Sequence, residues 1–362
     1  WGLLTAPGAV ARGEAVLRYF KQFAQLAVMM AFMVWPALWV RGQSRWRAVA
    51  RVVVVAALLQ AGYGVLQFVH WYRPLPFFPT LDGIFTSNPS ILAGSQQLHI
   101  GDGFRDLPRL RGTLCEPLYL GNFLLLALPL VALTDWRRLW RFSATLALVV
   151  LIVLTWSRGA WLAGTGAMVL ALALDPPWRR MDRRQLLGVA ALAAGVLGLV
   201  ALALGPERLG LPLERVAQSF SRRDWSNLTR LYSMQAAWRA FLISPVVGVG
   251  WGQYAWHFPV LVDPAGLQSQ FTWPVVNNFP LRILAETGLL GFGVFAAIAG
   301  TMTRAVGRMR RVLPVRVAAV ACCGVWLQLL FFSQYNLPHI WVAAGLLLAA
   351  LADTGPKQGA GI

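Results

Sequence analysis

Four short strings in this chain combine cations with small residues and with an acid or an amide, a mixture suited to gripping an anion. The first, Thr155-Trp156-Ser157-Arg158-Gly159-Ala160-Trp161, sets Arg158 between two apolar runs. A guanidinium fork matches phosphate oxygens in pairs, so Arg158 reads as an anion clamp. The alternative is an interfacial arginine snorkelling to lipid phosphates. The second string is Arg109-Leu110-Arg111-Gly112-Thr113-Leu114-Cys115-Glu116-Pro117, followed by Tyr119-Leu120-Gly121-Asn122. Here Arg111 and Glu116 face one cavity, or Glu116 merely complements the dipole of the helix that it precedes. The third runs from Asn227-Leu228-Thr229-Arg230 through Trp238 to Pro245-Val246-Val247-Gly248-Val249-Gly250-Trp251-Gly252. The fourth is Asn277-Asn278-Phe279-Pro280-Leu281-Arg282-Ile283-Leu284-Ala285-Glu286-Thr287-Gly288-Leu289-Leu290-Gly291. In it Arg282 and Glu286 stand four apart, the spacing of a simple helical ion pair.

Other chemistries find no support. There is no phosphate-cradling glycine loop, metal-spaced His/Cys set, hydrolase nucleophile elbow or Asp-x-Asp pair, and the four histidines are scattered. An ATP-driven pump and a zinc protease are thereby excluded, and no metal or cofactor is expected. The three cysteines build no disulfide framework, since Cys322 and Cys323 are adjacent and Cys115 has no partner on its own side.

The elements that must position these residues are written in the composition. Of 362 residues 57% are hydrophobic and only 13% charged, about half the charge of an ordinary soluble domain. Lipid is the solvent that accommodates such a chain. Apolar stretches spanning about Phe20–Val40, Ala48–Val69, Leu118–Thr134, Phe142–Trp156, Ala160–Leu174, Leu186–Leu204, Phe279–Met302, Val317–Phe332 and Ile340–Ala352 predict an all-α polytopic bundle of about nine spans. The net charge of +18 is clustered in short arginine-rich connections after the first, third, fifth and seventh stretches. That alternation is a topology signal rather than a nucleic-acid patch, and it puts those connections in the cytoplasm. The opposite, periplasmic side then receives 71–117, the turn Ser157–Gly159, 205–278 and 333–339. Leu231, Met234, Trp238, Phe241 and Leu242 recur at helical spacing in Leu228–Ile243, which predicts an amphipathic helix at the outer surface. Residues 1–117 read as N-terminal spans with a first external loop, and 118–362 as a membrane core carrying the second at 205–278. Trp1 stands where a start methionine would, so a missing N-terminus is expected.

Singly the four strings are weak signals, but their order is informative. Ser-Arg-Gly at a helix hairpin, a long external loop with Arg and Gly-x-Gly, then Asn with Ala-Glu-Thr-Gly opening the next span resembles the O-antigen ligase/polymerase family, from about Arg109 onward. The resemblance implies a metal-independent glycosyltransferase of the bacterial inner membrane with a periplasmic active face. Its members move glycan from an undecaprenyl diphosphate carrier to an acceptor hydroxyl on glycan, lipid A core or protein. Carried over by position, Arg158 and Arg230 would bind the diphosphate, with Arg111 as a further member. Trp251, His257 and Asn277 mark the expected acceptor region, and Trp251 and Asn278 are expected to bind substrate. Ligases of this family usually show His-Asn where this chain has Asn277-Asn278, and the amide takes no proton at neutral pH. Glu116, His257 and Asp263 are then the candidate bases, and Asn277 is left to orient a hydroxyl.

Two rivals follow. A polymerase would use the same chemistry with a second lipid-linked repeat as acceptor. A transporter or flippase for the same lipid would place polar residues near the midplane rather than at the outer ends.

Overall fold

A computed structural model describes residues 9–85, 108–175, 183–205, 210–217, 225–265 and 274–353. Every apolar stretch named above is carried by a helix. In order these are α1 (Ala9–Trp39), α2 (Gly42–Tyr72), the short α3 (Phe78–Phe85), α4 (Pro117–Leu130), α5 (Arg138–Leu154), α6 (Arg158–Leu174) and α7 (Arg183–Leu204). Then come α8 (Leu211–Ala217), α9 (Trp225–Ile243), α10 (Tyr254–Val262), α11 (Phe279–Met309), α12 (Leu313–Gln328) and α13 (Pro338–Asp353). Among the described residues α1, α2 and α11 are long and apolar enough to cross a membrane, and five shorter helices are comparably apolar. The protein is a membrane protein built from helices.

α4 and α12 form the centre. A helix apolar on all sides must be enclosed, and α4 buries Leu120 and Leu124 on one side and Leu126 and Leu130 on another. Around this pair stand α2, α5, α6 and α13, with α1 against α13 and α7 against α5. Core residues before and after residue 117 belong to one continuous cluster, from Val40 to Ala350. Small residues set the close crossings, as expected where packing rather than hydrophobic contrast holds helices together. A Cβ on Gly121 would lie 2.6 Å from that of Ala160, and one on Gly345 would lie 2.3 Å from the Met33 carbonyl oxygen.

Contacts sort the helix ends into two groups. At one end Leu110 N donates to Leu154 O (3.1 Å), Phe279 N to Leu329 O (2.8 Å) and Gln328 Nε2 to Leu118 O (3.0 Å). At the other, Gly42 N donates to Asp353 Oδ2 (3.0 Å), Arg51 pairs with Asp135 (3.7 Å), and Arg316 pairs with Asp175. The first group gathers all four strings.

One expectation changes. α11 is not one continuous span: at Gly288 (φ 63, ψ −164) the helix breaks. The loop after α9 fills the gap. Val249 N donates to Ala285 O (3.0 Å) and Gly250 N to Glu286 O (2.9 Å). In return Leu289 N donates to Pro245 O (2.8 Å) and Leu290 N to Val246 O (3.1 Å). Broken backbone is tolerated in an apolar surround only where its polar groups find such partners. A Cβ on Gly288 would fall 2.4 Å from the Val246 backbone, and one on Gly248 (φ +71) 2.4 Å from that of Glu286. Gly288→Ala is therefore expected to destabilise the fold by on the order of 2–4 kcal/mol, from strain and overlap together. A thermal midpoint in detergent equal to that of the parent protein would contradict this.

α9 forms where the apolar spacing predicts, with Leu231, Trp238 and Leu242 of its stripe exposed. The buried face is Ser233, Ala236, Ala237 and Ala240, small residues that let α9 lie close against α10 and α11, together with Phe241 of the stripe.

Candidate functional site

The α5–α6 hairpin is held in an unusual turn. Trp156 adopts φ 52 while fully buried, and is the one positive-φ residue other than glycine among those described. Such a conformation costs a bulky residue on the order of 1–3 kcal/mol and persists only when its surroundings dictate it. Here they do. Trp161 Nε1 donates to Ile152 O (2.9 Å) across the hairpin, and Ser157 N donates to Thr155 Oγ1 (3.2 Å). Ser157 caps α6, its Oγ accepting from Ala160 N (3.3 Å). Gly159 lies so close to Phe331 that a Cβ would meet it at 3.1 Å. The result is Arg158 in the first turn of α6, 7% exposed.

A cavity of about 440 Å³ opens at this point. Arg158 and Ser157 from the hairpin, Glu116 and Pro117 from the start of α4, and Thr229 and Arg230 from α9 line it. Arg109 and Arg215 complete the wall. Among the described residues four guanidinium groups thus surround one carboxylate, at the N-termini of α4 and α6, where helix dipoles already favour an anion. Burial pushes the Arg109 guanidinium down to about 10; Arg215 lowers it too, Glu116 opposes, and Arg230 and Arg158 add to the depression. Burial pushes the Glu116 carboxyl up, against the opposing pull of Arg109, a hydrogen bond with Tyr119 and the charge of Arg230.

The structure brings Arg158, Arg230 and Glu116 together, but not the other candidates. Arg111 is ion-paired with Asp82 and donates to Leu114 O (3.2 Å), away from the cavity. The reason lies in α2, whose Gln67 accepts from Gly112 N (3.0 Å) while donating to Gly112 O (3.0 Å). Gln60 Oε1 accepts from Thr113 N (2.8 Å). With Gly112 at φ +62, this clamp turns Arg111 toward Asp82 and leaves Arg109 at the cavity. Arg111→Ala should then cost about 1–3 kcal/mol of stability, because the partly buried Asp82 loses its cation and keeps the Tyr63 hydroxyl. It should not selectively weaken anion binding, and a titration on the folded fraction checks that.

Trp251 packs on Tyr335 (5.2 Å between centroids) and beneath Arg282 (5.2 Å). Arg282 pairs with Glu286 at 3.0 Å, as their spacing allowed. His257 sits on α10 outside the cavity lining, its imidazole pushed down by burial. Asp263, the buried cap residue after α10, is also outside the lining. Asn278 caps α11, its Oδ1 accepting from Leu281 N (2.9 Å), and Nδ2 donates to Leu330 O (3.1 Å). Asn277 donates from N and Nδ2 to Ser233 Oγ, at 3.2 and 3.3 Å.

Sequence reasoning missed Arg109 and Arg215. Arg109 stood in a quoted string, and only the turn at Gly112 separates its direction from that of Arg111. Arg215 lies among Arg208, Arg222 and Arg223, and nothing in its spacing singles it out.

Residues 142–296 match the family model described as O-antigen ligase, a segment that includes Arg158, Arg215 and Arg230. No curated protein matches the chain.

Proposed function

From the O-antigen ligase/polymerase family assignment that the matched segment supports, we propose that the chain transfers a glycan from an undecaprenyl diphosphate carrier to an acceptor hydroxyl at the periplasmic face of the inner membrane. The observation that carries this reading is the cavity in which Arg109, Arg158, Arg215 and Arg230 converge around Glu116. A diphosphate is the leaving group in such a transfer, and bidentate guanidinium contacts suit its oxygens. The acceptor oxygen attacks the anomeric carbon, a new glycosidic bond forms, and the bond from that carbon to the diphosphate oxygen breaks. The bonding pair leaves with the lipid diphosphate, where the arginines compensate the developing charge that a divalent cation balances in other transferases. The acceptor proton passes to Glu116, which stands in the cavity wall at the start of α4. Burial raises its affinity for a proton, which suits a base better than an ordinary carboxylate.

The arginine-rich connections at the far end of the bundle favour a cytoplasmic location for that end. They thereby favour the opposite face for the cavity. Purified protein supplied with lipid diphosphate-linked glycan and candidate acceptors tests the proposal by product mass. Glycan joined to a separate acceptor supports a ligase, and a ladder of lengths still on the carrier supports a polymerase. An unchanged donor relocated across a vesicle bilayer would overturn both.

A further inference from the structure

We propose that Asn277 is a positioning residue, which fixes the Arg230 end of α9 through Ser233 and takes no part in proton transfer. The inference rests on the reading of the cavity as a diphosphate site, because Arg230 is the group being positioned.

Ser233 follows Arg230 by one helical turn and is 3% exposed. Its Oγ donates to Arg230 O at 2.8 Å and accepts from Asn277 N (3.2 Å) and Asn277 Nδ2 (3.3 Å). A hydroxyl has one proton and two lone pairs, and here all three are used. The carbonyl of the same residue accepts from the Tyr254 hydroxyl at 2.8 Å. Ser233 is thus fastened from two sides, by the segment leading into α11 and by α10. The side chain of Asn277 is committed to this junction and lies outside the cavity lining. Its amide suits the task chemically. The Ser233 proton already goes to Arg230 O, so the partner at 277 must donate. A carboxylate there accepts only, and would draw the hydroxyl proton away from Arg230. Asp in place of Asn is nearly isosteric, yet it reverses the polarity of the junction.

The experiment measures binding of undecaprenyl diphosphate to purified protein in detergent, together with the pH profile of transfer. Asn277→Ala and Ser233→Ala are each expected to weaken binding by about three- to tenfold, the size of one or two hydrogen bonds. Combined, they should do little more than either alone, because both act through one junction. Asn277→Asp should be at least as damaging as Asn277→Ala. In an Arg230→Ala background Asn277→Ala should add nothing, and the shape of the pH profile should stay as in the parent. A general packing role predicts instead an additive loss in that background, which would overturn the proposal. So would a flattened pH profile with binding intact, which would put Asn277 at the acceptor hydroxyl. If Arg230→Ala itself leaves binding unchanged, the diphosphate reading of the cavity fails first, and the positioning role falls with it.

Discussion

Arg158→Ala and Arg230→Ala are each expected to slow glycan transfer by about 10²- to 10³-fold, the cost of removing one preorganised charge from a developing anion. Arg158 has the stronger case. It is buried, it stands in the first turn of α6, and the strained Trp156 turn together with the Ser157 cap leaves it little freedom. A cation fixed before the reaction begins needs no reorganisation when charge develops, and this is why its loss falls on turnover. The double variant should fall short of the product of the single effects, since both groups serve one diphosphate. Lysine at either position keeps the charge but loses the planar fork, and should retain intermediate activity. Steady-state turnover with purified protein checks all five variants. Full activity in Arg158→Ala would reduce that residue to a lipid-facing anchor.

Glu116→Gln is the second large effect. A base must be ionised, so transfer should fall as pH drops through the Glu116 pKa. Burial raises that pKa, with Arg109, the Tyr119 hydrogen bond and Arg230 in opposition. The acid limb should therefore lie above the ordinary glutamate value of about 4.3. Glutamine cannot accept the proton, so the variant should lose both the limb and about 10²- to 10⁴-fold in rate. An identical acid limb in Glu116→Gln would assign the base elsewhere.

Much of the fold was legible because lipid leaves the chain few options. Runs such as Leu118–Thr134 must be helical, and the arginine clusters after alternate runs sort the connections, as the contacts at the two ends of the bundle agree. The break at Gly288 was less visible. Ala-Glu-Thr-Gly and Gly-Val-Gly stand some forty residues apart, and only their mutual hydrogen bonding explains both. The site divides in the same way. Arg158 was marked by its place in a tight hairpin, where a cation is otherwise disfavoured. The choice of Arg109 over Arg111 depended on Gln60 and Gln67 of α2, more than forty residues away in sequence. On α9 it is Ala236, Ala237 and Ala240, rather than the large apolar side chains, that mark the face packed against the protein.

The central claim is that the four arginines hold the donor's diphosphate. An experimental structure of the protein with undecaprenyl diphosphate bound tests it most directly. The account predicts both phosphates in the cavity, within hydrogen-bond reach of Arg158 and Arg230, with Arg109 and Arg215 completing the cage and Glu116 beside the vacated glycan position. Diphosphate bound elsewhere on the bundle, with this cavity holding only solvent, would contradict it.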